Sequence, residues 1–429
     1  MQIHVVQPGN SLYGISQAYG VPINTIAQVN QIDLQNNLVV GQTLVIPITG
    51  MYYWVRPGDT LSEVARKFGT SARTLARINR IPLNRPLPIG LRLYIPPKEK
   101  YRAEINAYVE PRGEEVAPAL EQAAREAAPY LTYLAPFSYQ INRDGSLKPP
   151  LLNDFPSIAA NQNVTLMMVV TNLENDQFSS ELGRIILTNN QVQNNLLNNI
   201  IQTAKQQGFR DIHFDLEFLR EEDREAYNQF LRKAAARIRG EGFMISTALA
   251  PKVSAEQTGA WYTAHDYKAH GQIVDFVVIM TYEWGYSGGP PMPVSPIGPV
   301  REVLEYAISE MPPNKVMMGQ NLYGYDWTLP FVQGGQYARA LSPQAAIDLA
   351  RNQNAAIQYD YRAQAPHFDY WDAERKQHKV WFEDARSIQA KFNLVKELGL
   401  RGVSYWKLGL PFPQNWLLIT DNFNVAKRE

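Results

Sequence analysis

The chain has 429 residues, of which 45% are hydrophobic and 19% charged, a composition typical of a soluble globular protein with two or three domains. Its 41 basic and 41 acidic residues cancel, which argues against nucleic acid as a partner and gives no attraction to anionic membranes. The lack of cysteine excludes disulfides, thiolate catalysis and cysteine zinc sites, and no apolar run reaches the ~20 residues of a membrane span.

An internal repeat occupies the first hundred residues. Residues 5–12, VVQPGNSL, return at an offset of 49 as WVRPGDTL at 54–61, and GQTLVIP at 41–47 returns as GLRLYIP at 90–96. Each copy has a short β run, a Pro-Gly turn signal, two helical stretches and a closing β run, which predicts two βααβ units. Asn10 or Ser11 is placed to cap the first helix of one unit, and Asp59 or Thr60 that of the other.

The two units resemble LysM modules, with predicted limits at 1–48 and 50–97. The resemblance implies binding of glycans that contain N-acetylglucosamine, in a groove between the first strand–helix loop and the loop after the second helix. The implied groove residues are Gly9, Asn10, Ser11, Leu12 and Ile32 in one module and Gly58, Asp59, Thr60, Leu61 and Ile81 in the other. The alternative is that these residues only cap helices and form turns. Residues 98–102, KEKYR, read as a polar linker, which predicts loosely attached modules.

From about residue 103 the pattern changes to β runs that alternate with helical stretches, the clearest helix being 221–239, so we assign residues 98–429, with the linker, to a second type of domain. This alternation predicts an α/β fold of the (β/α)8 TIM-barrel type. The eight predicted strands are 104–109, 130–139, 164–170, 211–218, 243–250, 274–282, 315–325 and 402–406. The stretch from about 327 to 385 is rich in Tyr, Gln and Trp and reads as a small inserted α+β subdomain.

The fourth predicted strand lies in GFRDIHFDLEFL, residues 208–219. Alternate residues of a strand face opposite sides, so His213, Asp215 and Glu217 face the barrel axis. They lie successively nearer to the C-terminal end of the strand, where such barrels place active sites. Burial of unpaired charges is costly, so this ladder indicates a function. It suits either metal binding or catalysis by paired carboxyl groups. The other strand ends favour carboxyl catalysis without a metal, since they offer Tyr282, Glu283, Tyr323 and Trp406.

The barrel resembles glycoside hydrolase family 18 over residues 103–429. The fourth strand of that family carries Asp-Gly-x-Asp-x-Asp-x-Glu, of which Asp215 and Glu217 match, whereas Arg210, Asp211 and His213 depart from the pattern. MTYE (280–283), LYGYDW (322–327) and SYW (404–406) resemble the family's motifs on strands six, seven and eight.

The resemblance implies substrate-assisted hydrolysis of a β-1,4 glycosidic bond with retained configuration and without a cofactor. Glu217 is then the acid, Asp215 orients the substrate's acetamide group, and Tyr282 binds the acetamide oxygen. His213 and Glu283 have supporting roles, and the implied sugar contacts are Trp406, Tyr323, Asn321 and Tyr108. Because His213 replaces an aspartate of the motif, we expect it to donate a hydrogen bond to Asp215 and hold Asp215 ionised.

Two LysM-like modules ahead of this barrel, with HFDLE on strand four, resemble spore cortex-lytic N-acetylglucosaminidases of spore-forming bacilli. The resemblance implies cortex peptidoglycan as the substrate and a role in germination. The first residues, MQIHVVQPGN, lack a signal-peptide pattern, so we expect synthesis in the mother-cell cytoplasm and deposition in the coat or cortex region of the spore. We expect a monomer. A chitinase and a non-catalytic, lectin-like glycan-binding protein are the alternatives.

Overall fold

The computed structural model describes residues 1–428, and its largest element is a closed ring of eight parallel strands. Each strand pairs with the next along the chain, strand three pairs with strand four, and strand eight returns to strand one. Strands one to eight are Tyr101–Val109, Tyr133–Pro136, Thr165–Thr171, Asp211–Asp215, Met244–Leu249, Phe276–Ile279, Val316–Asn321 and Gly402–Trp406. The predicted TIM barrel is confirmed.

Helices cover the outside of the ring. The helix Arg224–Gly240 buries one apolar face, which includes Tyr227, Phe230 and Leu231. The barrel helices are Pro118–Ala127, Phe155–Asn161, Ser180–Thr188, Asn190–Gln207, Arg224–Gly240, Tyr267–Ile273, Ile297–Glu310, Ala385–Leu398 and Pro413–Asn422, with 3-10 turns at Ala128–Tyr130, Glu221–Asp223 and Pro313–Lys315. Within residues 1–428, no helix has the length and hydropathy needed to cross a membrane.

The barrel strands separate an outer core from an inner one. Ile212 and Phe214 of strand four lie in the outer core against the helices. The inner core holds side chains such as Tyr108, Met167 and Phe276. The alternation predicted for strand four is therefore confirmed. Short strands lie outside the eight-stranded ring, at Tyr139–Ile141, Leu147–Lys148, Leu173–Glu174, Gln177–Phe178 and Phe423–Val425.

An α+β unit lies between strands seven and eight. Its antiparallel sheet has the order Arg339–Leu341, Gly324–Thr328, Gln377–Trp381, Ala365–Trp371 and Gln358–Asp360, next to the helix Pro343–Asn352. The single strand predicted at 315–325 is wrong, because the chain leaves the barrel after Asn321 and enters this sheet at Gly324. Gly324 passes so close to its neighbour that a Cβ atom would lie 2.3 Å from the carbonyl oxygen of Trp381.

The N-terminal repeats fold as the predicted βααβ units. The first pairs Gln2–Val5 with Thr43–Ile46 around the helices Leu12–Tyr19 and Ile23–Val29, and the second pairs Met51–Trp54 with Arg92–Ile95 around Leu61–Lys67 and Ala72–Asn79. Ser11 and Thr60 cap the first helices. Asn10 and Asp59 instead accept hydrogen bonds from the backbone of the preceding turn.

The expectation of loosely attached modules is wrong for the first module. Gln414, on the last barrel helix, donates to the side-chain oxygen of Asn30 at 2.9 Å and to the carbonyl oxygen of Thr43 at 2.7 Å. It also accepts a hydrogen bond from the Thr43 hydroxyl. These three buried residues, which we call the module seam, join the module to the barrel. Val45 of the module lies in the same apolar core as the barrel helices.

The second module contacts the first. The guanidinium group of Arg92 donates to the carbonyl oxygen of Ala18 at 2.7 Å, and the rings of Tyr19 and Trp54 meet edge to face at 5.4 Å. Arg92 stands at the repeat position of Thr43 and is exposed. The two copies therefore share a fold, but only the first has the small polar residue that the module seam uses.

Candidate active site

Glu217 lies just beyond the C-terminal end of strand four. The predicted strand was too long, since it ends at Asp215 and the chain turns at Phe218, whose φ is 52°. Asn172, directly after strand three, holds the backbone of Glu217 from both sides. It accepts from the Glu217 N–H at 3.0 Å and donates to the Glu217 carbonyl oxygen at 3.0 Å. The acid is therefore fixed between two neighbouring strand ends.

Asp215 and Glu217 form a buried carboxyl pair, 6% and 8% exposed. Burial raises the pKa of both groups, and the charge of Asp215 raises the pKa of Glu217 further. Among residues 1–428, Oδ1 of Asp215 has no hydrogen-bond partner. The pair therefore offers a proton on Glu217 and a free acceptor on Asp215, which is the combination that acid catalysis beside a developing positive charge requires.

His213 does not make the bond predicted for it. Its Nδ1 lies 2.8 Å from the hydroxyl of Ser246, and its Nε2 lies 2.9 Å from the hydroxyl of Tyr108. The Ser246 hydroxyl in turn donates to Asp211 at 2.8 Å. His213 and Ser246 are paired in register on adjacent strands, so the imidazole turns sideways instead of climbing to Asp215.

The chain of bonds through His213 fixes its charge and tautomer. Burial lowers the pKa of His213 to about 3, so the ring is neutral. Since the Ser246 hydroxyl donates to Asp211, its oxygen accepts from Nδ1–H of His213. Nε2 then accepts from the Tyr108 hydroxyl, which orients Tyr108. The predicted supporting role of His213 thus reaches Tyr108 and Asp211, and the hypothesis that it keeps Asp215 ionised fails.

Aromatic side chains surround the carboxyl pair. Trp406, at the end of strand eight, meets the rings of Tyr108 at 5.5 Å and Phe137 at 4.9 Å. Tyr282 packs in the same apolar cluster as Trp406, and the charges of Asp215 and Glu217 add to the burial that raises its pKa. Gly319 makes room for this ring, because a Cβ atom there would lie 3.0 Å from Cε1 of Tyr282.

The side chains of Glu283 and Asn321 form hydrogen bonds to other protein groups. One carboxylate oxygen of Glu283 accepts hydrogen bonds from the hydroxyls of Tyr323 and Tyr325. The side chain of Asn321 is fully buried, accepts from Ser295 at 2.7 Å and donates to the carbonyl oxygen of Tyr323 at 2.7 Å. A direct contact of Asn321 with a sugar would require these bonds to break, while Glu283 orients Tyr323.

The sequence reasoning missed two residues. Trp261, in the loop after strand five, donates its indole N–H to Oε2 of Glu217 at 2.5 Å. Asn172 was missed as well. Both follow a barrel strand at the catalytic end, and that position was the available signal. Within residues 1–428, no cluster of His, Cys, Asp and Glu side chains has the geometry to hold a metal ion.

The predicted groove residues lie at the start of the first helix and just after the second helix of each LysM-like module. Gly9, Asn10, Ser11, Gly58 and Thr60 are exposed. Half-buried side chains lie beside them, namely Leu12, Ile32, Asp59 and Ile81. Leu61 is 5% exposed and belongs to the core of its module, so it packs inside the module instead of lining an open groove. Glycan binding by these residues stays a prediction.

Comparison with known proteins gives a consistent assignment. The family profile of glycosyl hydrolases family 18 matches residues 108–410, and the LysM domain profile matches residues 4–47 and 53–96. The chain is 66% identical over 428 residues to the cortical fragment-lytic enzyme of Bacillus subtilis, covering 100% of this chain and 99% of that one.

Solved structures give the same result. The crystal structure of the spore cortex-lytic enzyme SleL of Bacillus megaterium matches with a TM-score of 0.92 at 55% identity, over 100% of this chain and 99% of that one. A chitinase from Chromobacterium violaceum matches with a TM-score of 0.68 at 23% identity, over 74% of this chain and 98% of that one, which shows a shared fold.

Proposed function

Because the chain belongs to the glycosyl hydrolases family 18 and carries two LysM domains, we propose that it hydrolyses the peptidoglycan of the bacterial spore cortex. Support comes from the relatives named as cortical fragment-lytic and spore cortex-lytic enzymes, which match the whole chain. The observation that carries the chemistry is the buried carboxyl pair at the barrel rim, with one free acceptor oxygen. The protein acts as a monomer without a cofactor, in the coat or cortex region during germination, after synthesis in the mother cell.

The first step breaks the glycosidic bond. Glu217 gives its proton to the leaving oxygen while the oxygen of the substrate's own 2-acetamido group attacks the anomeric carbon, as in the substrate-assisted exceptions to the two-carboxylate scheme. The product is an oxazolinium ion. Asp215 accepts the acetamide N–H at its free Oδ1 and stabilises the positive charge. Tyr282 donates to the acetamide oxygen, and Trp406 forms the apolar floor under the ring.

The second step restores the enzyme. The Glu217 carboxylate takes a proton from water, and the resulting hydroxide equivalent attacks the anomeric carbon and opens the oxazolinium ring. Two displacements at one carbon return the β configuration. The raised pKa of Glu217 serves both steps, because the group must hold a proton before the first step and regain it in the second.

The same chemistry selects the bond. Substrate assistance requires a free 2-acetamido group on the sugar whose anomeric bond breaks. In the muramic δ-lactam of spore cortex, that nitrogen is tied into a ring with the lactyl group, so no acetyl oxygen can reach the anomeric carbon. N-acetylglucosamine retains the group and lacks the lactyl bulk. The proposed activity is therefore that of an N-acetylglucosaminidase.

Two alternatives fit the same architecture less well. A lectin-like protein would have no use for a protonated acid beside a free acceptor, and this pair is costly to bury. A chitinase would use the same carboxyl pair. Full-length similarity to cortex-lytic enzymes favours peptidoglycan over chitin, whereas the similarity to a chitinase covers 74% of the chain at 23% identity.

Digestion of purified cortex fragments tests the proposal. The digest is reduced with borohydride and analysed by mass spectrometry, and we expect glucosaminitol at the new ends. Muramitol ends would contradict the assignment of the bond, and an initial α-anomer by NMR would contradict retention. Glu217→Gln is the control for contaminating activity, because the amide is nearly isosteric and cannot donate the proton. Release by this variant at the wild-type rate would remove Glu217 from the mechanism.

A further inference from the structure

Trp261 combines two contacts at the catalytic acid. Its indole N–H donates to Oε2 of Glu217 at 2.5 Å, and its ring stacks on Phe218 with 6.3 Å between centroids and 14° between planes. Phe218 directly follows Glu217, and its φ of 52° turns its ring back toward Trp261. The loop after strand five therefore gives the acid a polar partner. The Phe218 ring, which we call the cover, stacks on that partner.

We propose that Trp261 is a positioning residue that determines which oxygen of Glu217 carries the catalytic proton. The inference rests on the proposed role of Glu217 as the acid. An indole nitrogen can only donate a hydrogen bond. The carbonyl oxygen of a carboxylic acid is a better acceptor than its hydroxyl oxygen, so the bond from Trp261 to Oε2 places the proton on Oε1.

The other contacts of Glu217 leave Oε1 available for this task. Asn172 forms hydrogen bonds with the backbone N–H and carbonyl of Glu217, and the indole N–H of Trp261 donates to Oε2 of Glu217. These are the hydrogen bonds that Glu217 makes within residues 1–428, so Oε1–H is free to point at the leaving oxygen. Without the indole N–H, the two oxygens would share the proton, and half of the molecules would present the wrong one.

The bond also gains strength as the reaction proceeds. When Oε1 gives its proton to the leaving oxygen, Glu217 becomes a carboxylate, and the N–H···O bond becomes charge-assisted and roughly twice as strong. The indole therefore stabilises the state after proton transfer more than the state before it, which is the condition for a rate effect. When water later returns a proton, the same bond directs it to Oε1.

The hydrogen bond from Trp261 and the burial of Glu217 shift the pKa of the acid in opposite directions. The N–H donor stabilises the carboxylate and lowers the pKa of Glu217, while burial and the charge of Asp215 raise it. Tyr108 and Tyr282 are the other titratable groups whose pKa responds to the charge of Glu217, and both stay neutral because their own pKa is raised. Removal of the donor and removal of the cover are therefore distinguishable in a pH profile.

The test compares Trp261→Phe with Phe218→Ala. Trp261→Phe keeps an aromatic ring and removes the donor. The even split of the proton should lower kcat about twofold, and the lost charge-assisted bond to the carboxylate brings the expected fall to about 10- to 100-fold, with little change in KM. The alkaline limb of kcat/KM should move to higher pH. Phe218→Ala keeps the donor and thins the cover, so its alkaline limb should move to lower pH. Urea unfolding of each variant checks that it is folded.

A double variant separates a positioning role from a merely structural one. If Trp261 acts through Glu217, Trp261→Phe should not lower the residual rate of the Glu217→Gln variant. An unchanged pH profile in Trp261→Phe, a shift to lower pH, or full additivity with Glu217→Gln would overturn the inference. Each of these results, obtained while Glu217→Gln shows the expected large loss of turnover, leaves the proposed hydrolysis intact. Wild-type activity of Glu217→Gln would instead remove the acid itself.

Discussion

The module seam and the carboxyl pair both contain buried polar side chains, but they differ in how many of their polar atoms have hydrogen-bond partners. In the seam, both amide hydrogens and the carbonyl oxygen of Gln414 are used, and Asn30 likewise donates twice and accepts from two groups. At the barrel rim, one oxygen of Asp215 has no partner within residues 1–428. The seam is complete without any other molecule, whereas the carboxyl pair lacks a partner that a substrate would supply.

This difference separates groups that stabilise the fold from groups that cost stability. A satisfied buried hydrogen bond contributes about 1 kcal/mol, and an unsatisfied buried group costs about 1–3 kcal/mol. Substitutions in the seam should therefore lower the free energy of unfolding and leave catalysis intact. Substitutions in the carboxyl pair should impair catalysis and should keep or raise the free energy of unfolding.

The largest expected effect is that of Glu217→Gln on turnover. Loss of general acid catalysis should lower kcat by roughly 10²- to 10⁴-fold. The same substitution should also make the protein more stable relative to wild type as the pH rises. The folded-state pKa of Glu217 is raised, so its contribution to stability is present below the unfolded pKa and is lost as pH rises through the folded one.

Urea unfolding of wild type and Glu217→Gln at pH 5 and pH 9 measures the stability half of this prediction. The variant should gain on the wild type as the pH increases, because it has no carboxyl group to ionise in a buried position. A stability difference between variant and wild type that is the same at pH 5 and pH 9, or that moves in favour of the wild type, would contradict the view that the acid is held at a cost.

Gly41 and Gly90 form a matched pair that tests whether the first module is fixed to the barrel. They occupy the same repeat position with φ of 84° and 80°. A Cβ atom at Gly41 would lie 1.8 Å from the carbonyl oxygen of Ile357 in the insertion, whereas at Gly90 no described atom lies within 4 Å. Gly90→Ala should cost about 1 kcal/mol from backbone strain alone, and Gly41→Ala about 3 kcal/mol or more.

Urea unfolding of both glycine variants gives the comparison directly. The strain at positive φ is common to the two, so their difference reports the contact with Ile357. Equal losses would mean that the first module stands clear of the barrel in solution, and the module seam would then be without effect.

A smaller loss is expected for Gln414→Ala, with Arg92→Ala as its control. Gln414→Ala leaves the buried polar atoms of Asn30 and Thr43 short of partners, which should cost about 2 kcal/mol. Arg92→Ala removes a hydrogen bond from an exposed side chain in the second module, which should cost about 0.5 kcal/mol. Both variants should keep the wild-type kcat on soluble fragments at temperatures where they are folded. A fall in kcat for Gln414→Ala alone would show that the seam reaches the active site.

The sequence could predict the parts of this molecule that depend on local periodicity. Strict alternation on strand four placed His213 and the carboxyl pair on the inner face, and the repeat at offset 49 predicted both modules. It could not predict the partner of His213, because Ser246 is 33 residues away and the register of adjacent strands decides the contact. Thr43 and Gln414 are 371 residues apart, so the module seam depends on tertiary packing. The one local sign was the exchange of Thr43 for Arg92 between the repeats.

The smallest expected effects concern glycan binding by the two LysM modules. Ile32 and Ile81 occupy matched positions in the predicted grooves, and each is half-buried beside exposed loop residues. Ile32→Ser and Ile81→Ser should each weaken sedimentation with insoluble peptidoglycan by about threefold, since one lost apolar contact is worth about 1 kcal/mol or less. The double variant should lose more than either, because linked modules raise each other's effective concentration. Leu34→Ser and Leu83→Ser, at matched exposed positions outside the predicted grooves, serve as controls.

The same four variants separate the roles of the two modules. The first module is held against the barrel through the seam, so a glycan in its groove has a fixed position relative to Glu217. Ile32→Ser should therefore also raise KM for long cortex strands. Ile81→Ser should weaken sedimentation with insoluble peptidoglycan and leave this KM unchanged. Neither should change KM for short fragments, which cannot span groove and active site together. Equal KM values for Ile32→Ser and Ile81→Ser on long strands would show that the fixed module gives the enzyme no positional advantage. Loss of glycan binding in Leu34→Ser or Leu83→Ser would show that the glycan contacts the loop of these leucines and not the predicted groove.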